Sequence, residues 1–135
     1  MSEAVLLDTH AVLWWYGDPS RLSPAAQRAI EHARQVVVSP ITCWEVAMLV
    51  SGGRIELDRP LDMWVEDLTG PAGQATVADL TPRVAATAGR LVGIHGDPAD
   101  RLIYATAADG RLPLVTKDRR LTEFARADAR VRVIW

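Results

Sequence analysis

The sequence predicts an α/β fold, with a central, mostly parallel sheet flanked by helices on both faces, in a single domain spanning residues 1–135. Three observations predict it. Short apolar runs without polar alternation recur along the chain, as in strands buried on both faces. Helical segments lie between them, so strands alternate with helices and imply βαβ units. Ser-Pro, Thr-Pro and Asp-Pro pairs punctuate the chain, each a capping side chain followed by a proline at the one helical position that needs no N–H. The connections are short, and no internal repeat or low-complexity tract interrupts the pattern.

The elements follow in order. "AVLLD" (4–8) reads as a buried strand closed by Asp8. "SPAAQRAIEHA" (23–33) is a helix with Ser23 as N-cap and Pro24 at its first position. "QVVVS" (35–39) is a second buried strand. "SPITCWEVAMLVSGG" (39–53) repeats the Ser-Pro start and stops at Gly52 and Gly53. "RPLDMWVEDLTG" (59–70) sets Leu61, Trp64, Val65 and Leu68 on one face of an amphipathic helix. "QATVADL" (74–80) is a strand, and "TPRVAATAGRLVGIH" (81–95) a helix begun by Thr81 and Pro82. A further helix begins within "HGDPADRLIYATA" (95–107) and ends near Gly110. "LPLVTKD" (112–118) is a strand, "RRLTEFAR" (119–126) a short helix, and "VRVIW" (131–135) a last strand.

Composition bounds the function. A chain of 135 residues buries roughly two-thirds of its unfolded surface, enough for a real core. Its hydrophobic fraction of 49% and charged fraction of 24% are those of an ordinary soluble globular protein. A net charge of −2 argues against a surface made wholly for nucleic acid, but permits a basic rim around an acidic site. Arginine carries nearly all the positive charge, and Lys117 is the only lysine, which favours forked contacts to carboxylates or phosphates. Cys43 is the only cysteine, so no internal disulfide forms and a reducing cytoplasm is the expected compartment. "MSEAVLLD" lacks the basic region and apolar run of a signal peptide. No apolar stretch approaches the roughly 18 to 20 residues that cross a membrane, so no membrane association is expected.

Carboxylates are the candidate functional groups. In an open α/β sheet, functional groups gather at the carboxyl ends of the strands. Asp8 ends the first strand and Asp118 follows "LVT" at the end of a later one. Either alone also fits a turn or a helix cap. Glu45 is the only charge between Ser39 and Arg54, and it shares a helix face with Ile41, Met48 and Leu49. A lone carboxylate on a buried helix needs a partner or a metal; an arginine at the helix edge would also serve. Asp97, Pro98 and Asp100 suit the cap, first and third positions of a helix. Taken together, Asp8, Glu45, Asp100 and Asp118 each lie just beyond a strand or early in the helix that follows. Converging carboxylates without histidine or cysteine suit a hard cation, Mg²⁺ or Mn²⁺, and repel one another without it. Oxygen-only sites of this kind serve phosphoryl chemistry, in which the ion lowers the pKa of a water and stabilises the leaving oxygen.

Four blocks, "LLDTHAVLWW", "SPITCWEVA", "HGDPADRLIYATA" and "LVTKD", occur in that order. Together they resemble the PIN-domain ribonucleases, and more closely the VapC-type toxins of bacterial toxin–antitoxin pairs. The resemblance runs nearly end to end and implies a single PIN-like domain. By resemblance Asp8, Glu45, Asp100 and Asp118 form the catalytic set, with Asp8 and Asp100 the main ligands of Mg²⁺ or Mn²⁺. It further implies an endoribonuclease that hydrolyses transfer or ribosomal RNA by water attack, a cognate antitoxin that blocks the site, and a homodimer. The family usually carries a bulky residue, often phenylalanine, where this chain has Ala99. Asp97 then keeps the helix cap, with a supporting role behind the ligands.

Neighbouring residues have two readings each. Thr9 and Thr116 flank the acids and suit a hydrogen bond to a carboxylate or water, or a plain turn. Arg101, Arg119 and Arg120 adjoin the acids and suit RNA phosphates, or solvent and salt bridges. His10 and His95 lie close to the blocks, but a water activated by a metal needs neither as a base. Trp14, Trp15 and Tyr16 cannot all face one core, because adjacent helical positions point about 100° apart; core or loop packing suits each one singly, and part of the aromatic surface is open to a partner. Trp64 reads as a core anchor. Two other functional classes compete. Asp8 followed by Thr9 invites an aspartyl-nucleophile phosphohydrolase, but His10 stands where such enzymes carry a second aspartate. A non-catalytic, metal-stabilised RNA- or protein-binding module is opposed only by the completeness of the acid set.

Overall fold

Five short strands pair into one sheet in the computed structural model, which describes residues 3–94 and 97–135. They are β1 (Val5–Leu7), β2 (Val36–Val38), β3 (Ala75–Val77), β4 (Leu114–Val115) and β5 (Val133–Ile134), in the order β3-β2-β1-β4-β5. Each pair is parallel, with Val5 opposite Val36, Leu6 opposite Leu114 and Leu7 opposite Val115. The helices are α1 (Thr9–Gly17), α2 (Pro24–Glu31), α3 (Pro40–Ser51), α4 (Leu61–Thr69), α5 (Pro82–Arg90), α6 (Pro98–Gly110) and α7 (Arg119–Asp128).

The period-two alternation of the strands divides the core. Leu6, Val37 and Leu114 face one side, against Val84 and Ala88 of α5, Ile103 and Tyr104 of α6, and Leu121 and Ala125 of α7. Val5, Leu7, Val36, Val38 and Val115 face the other, against Val12 of α1, Ile30 of α2, Val46 of α3, and Trp64 and Leu68 of α4. Helices therefore cover both faces at the centre of the sheet, which is why β1, β2 and β4 are apolar throughout, while edge strand β3 carries the exposed Thr76 and Val77.

The predicted caps form. Ser23 accepts from the Ala26 N–H at 3.0 Å, Ser39 from Ile41 at 3.1 Å and Thr81 from Val84 at 3.2 Å. Two elements depart from expectation. Helix α1 has no counterpart among the expected elements: "THAVLWWYG" is apolar nearly all round, so no polar stripe marks it as helical. Helix α5 stops at Arg90, short of His95, which lies outside the described residues. The chain leaves the helix to bury Leu91 and Ile94, with Gly93 between them at φ +104, a conformation that favours glycine.

Parallel pairing puts the carboxyl ends of the strands along one edge. The chain moves outward from β1 to β2 and β3, then crosses back to place β4 and β5 on the other side of β1. The switch point, where a crevice opens beyond the strand ends, therefore lies between β1 and β4. Among the described residues no helix is long and apolar enough to cross a membrane.

Candidate active site

Asp8 follows β1 and Thr116 follows β4, so the two meet at the switch point. Asp8 is only 4% exposed, and both its oxygens are held. The Thr9 N–H donates to Oδ1 at 2.8 Å, and the Thr116 hydroxyl donates to Oδ2 at 2.6 Å. Thr116 Oγ1 in turn accepts from the Asp118 N–H at 3.0 Å. One buried hydroxyl thus ties the end of β1 to the start of α7. Asp118 caps that helix, its Oδ1 accepting from Arg120 at 2.8 Å and Leu121 at 3.2 Å.

Glu45 reaches the same place from α3. The Thr9 hydroxyl donates to Glu45 Oε1, which uses its only proton. The buried Thr42 hydroxyl, 3.2 Å from Thr9 Oγ1, is then the donor of that second contact. Burial pushes the Glu45 carboxyl above its ordinary range, the Thr9 bond pulls it back, and the charges of Asp8 and Asp97 push it up again.

Asp100 sits in the first turn of α6, whose N-cap is Asp97, accepting from the Ala99 N–H at 3.0 Å. The Asp100 carboxyl is pushed up to about 7, first by burial and then by the negative charges of Asp8, Asp97, Asp118 and Glu45. Four acids therefore act on one, and the place is short of positive charge.

Asp8, Thr9, Glu45, Asp97, Asp100, Asp118 and Arg120 line one open cleft of ≈ 270 Å³. Its free donors fit a hard divalent cation: they are oxygens, since the Nε2 of His10, which also lines the cleft, is taken by the Lys117 N–H, and the raised pKa of Asp100 is one that arriving positive charge would lower. Among the described residues no three Asp, Glu, His or Cys side chains close around a single point. One or two carboxylates with water filling the remaining positions is the arrangement Mg²⁺ favours.

The remaining expected residues divide. Arg120 lines the acid cleft, and Arg119 an adjoining hollow with Thr116, Thr122, Arg126 and Trp135. Arg101 lines neither, and its Nε is buried without a partner among the described residues. Trp14, Trp15 and Tyr16 diverge: Trp14 meets His10 and Trp135, while Tyr16 packs edge-on against buried Trp64. Ala99 is buried.

Two participants escape a reading of the sequence. Thr42 stands one turn before Glu45 on the same helical face, a spacing that would have found it. His10 left no such signal, because its partner is distant in sequence. Its Nε2 accepts from the Lys117 N–H at 2.9 Å, so the proton lies on Nδ1, 3.6 Å from Asp8 Oδ2. Burial lowers the His10 pKa, against the pull of Asp8 and Asp118. A neutral imidazole thus braces the β1–α1 junction against the loop after β4.

Residues 5–128 match the family model described as PIN domain. Ribonuclease VapC22 of Mycobacterium tuberculosis (strain ATCC 25618 / H37Rv) is 49% identical over 118 residues, 87% of this chain and 88% of that protein. Among solved structures, VapBC2 from Rickettsia felis bound to a DNA fragment from their promoter aligns with a TM-score of 0.64 at 14% identity, covering 96% of each chain. A toxin–antitoxin complex from Klebsiella pneumoniae gives 0.63 at 20% identity over 94% of each chain. FitAcB from Neisseria gonorrhoeae gives 0.58 at 24% identity, over 96% of this chain and 95% of that one. At these identities the three structures speak to the fold alone.

Proposed function

The chain belongs to the PIN-domain family, as a VapC-type endoribonuclease toxin, and from that premise we propose how its site cuts RNA and what controls it. The observation that carries the reading is the convergence of Asp8, Glu45, Asp100 and Asp118 on one cleft at the switch point. In this reading Asp8 and Asp100 hold a Mg²⁺ or Mn²⁺ ion. Bound there, the cation supplies Lewis acidity: it draws charge from a phosphate and acidifies a water.

The chain's own residues do the rest. Asp8 is fixed by Thr9 and Thr116 with no freedom to swing away. Asp100 is carried on a helix turn that Asp97 and Pro98 hold in place, with Asp97 behind the ligands. Glu45 has one oxygen engaged by Thr9 and a raised pKa, so Oε2 serves to orient the attacking water and take its proton. Asp118, its Oδ1 taken by the α7 cap, adds a fourth carboxylate to the cleft, and Arg119 and Arg120 draw RNA phosphates towards the acids. Arg101, with its buried Nε, is left out of that contact. A nucleophilic role for Asp8 is disfavoured, since His10 stands where aspartyl-nucleophile phosphohydrolases carry a second aspartate.

The substrate in this reading is transfer or ribosomal RNA, and the regulator a cognate antitoxin that covers the cleft. Proteins of the same fold occur in toxin–antitoxin complexes, and the antitoxin partner is carried over from them as part of this reading. We place the protein in the cytoplasm as a homodimer. The test incubates antitoxin-free protein with total RNA and Mg²⁺ and maps new 5′ ends by sequencing. A discrete set of ends, lost in EDTA, is the expected result; an unchanged map in Mg²⁺ and in Mn²⁺ would refute the reading.

A further inference from the structure

Beside the acid cleft lies an aromatic surface that the cleavage chemistry does not use. Trp14 of α1 and Trp135, next to β5, approach with ring centroids 5.6 Å apart and planes tilted by 53°. The His10 ring abuts both, at 5.2 Å and 6.0 Å. Each indole packs its inner part on the core, yet each also lines an open hollow. The Trp14 hollow includes Asp118 of the acid cleft, and Lys117 lines both hollows.

Cations ring this surface. The Arg21 guanidinium lies 4.6 Å from the Trp14 centroid and the Lys117 ammonium 5.6 Å. Arg119 and Arg126, about two turns apart on α7, border the Trp135 hollow with Lys117, and Glu123 is the one acid between them there. All four cations are exposed, and none has an ion-pair partner among the described residues. Half-buried indoles that each open onto a hollow, flanked by cations without ion pairs, offer what a nucleotide needs: ring surface for the base and positive charge for its phosphates. The tilt makes an angled seat, suited to one base turned out of its stack and unsuited to a run of parallel bases. A base inside an A-form helix does not offer its face to a side chain.

We propose that Trp14 and Trp135, with Lys117 and Arg119, form a seat for one unpaired RNA base beside the phosphodiester that is cut. The seat rests on the nuclease reading, and its test separates the two. The probe is a fluorescent single-stranded RNA of about eight nucleotides of randomised sequence, compared with the same length as a duplex, by anisotropy in Mg²⁺. The protein carries Asp100→Asn to hold off cleavage. Single strands bind more tightly than the duplex. Adding Trp135→Leu weakens single-strand binding by about fivefold or more, leaves duplex binding unchanged, and Trp135→Phe recovers most of the loss. Exposed Lys117 allows a variant that does not disturb the core: Lys117→Gln lowers the slope of log affinity against log salt by about 0.7. Equal affinity for both forms, or single-strand affinity and slope indifferent to all three substitutions, overturns the seat and leaves the surface to a protein partner. Cleavage of total RNA by the otherwise native chain is followed in parallel. Base-dependent binding without any such cleavage sinks the nuclease reading and keeps the seat. Cleavage at the same sites and rates in Trp135→Leu sinks the seat and keeps the nuclease.

Discussion

Asp100 concentrates the electrostatics of the site. Its carboxyl keeps a proton to about pH 7, whereas in the unfolded chain it loses that proton at its ordinary 3.8. Between those values the unfolded chain binds fewer protons than the folded one. Without a cation, this group therefore makes stability fall as pH rises through the window. Asp100→Asn removes that penalty. Discounted for its partial exposure, the gain at pH 8 in EDTA is about 1 kcal/mol, or a few degrees of melting temperature, and it disappears near pH 4. A cation competes with the same proton, so Mg²⁺ affinity measured by calorimetry rises by up to about tenfold per pH unit below 7 and levels off above. Thr116 is the other sensitive residue. Thr116→Val takes a hydrogen bond from buried Asp8 and costs about 1–3 kcal/mol in urea denaturation. At this scale the sequence was informative where a residue's oddity is local. Glu45 stands out as the one charge in an apolar helix, and Asp8 as the polar end of an apolar strand. Thr116 was legible as a hydroxyl beside the acids, but which acid it meets was not, nor was the partner of His10, since both partners lie more than a hundred residues away.

Among the elements, α6 decides whether the site is ordered. Its cap and its candidate ligand occupy one helix turn, so Asp97 acts on both stability and position. Asp97→Ala costs about 1 kcal/mol of stability. It lowers cleavage at subsaturating Mg²⁺ by more than that loss explains, while Asp97→Ser restores the cap and the melting temperature. Thermal melts and initial rates on the same preparations separate the two effects. Helix starts were legible because capping is local chemistry: the Ser-Pro, Thr-Pro and Asp-Pro pairs each open the helix they announce. Helix α1 was not, because a helix apolar nearly all round loses the periodicity that reveals one. The end of α5 was not, because burying Leu91 and Ile94 against α6 and α7 is a tertiary effect that overrides local preference.

For the whole molecule, the sheet order makes the site. Reversal of direction at β1 brings residues 8, 45, 100 and 118 to one crevice, and two apolar faces fix the strands that deliver them. The alternation of elements carried that architecture plainly in the sequence, while strand order did not, since pairing of β1 with β4 depends on contacts more than a hundred residues apart. Leu6→Ala, at the centre of the sheet, costs about 2–5 kcal/mol and abolishes activity by unfolding, with circular dichroism lost in parallel. Under the proposed roles, Asp8→Asn and Asp100→Asn are expected to behave oppositely, keeping the fold and losing function. The decisive measurement is a Mg²⁺ titration of RNA cleavage by the native chain, Asp8→Asn and Asp100→Asn, with each variant's fold verified by circular dichroism. The account predicts saturable, Mg²⁺-dependent cleavage for the native chain and a loss of about a hundredfold or more in both folded variants. Native rates in either variant, or cleavage indifferent to EDTA, would contradict it.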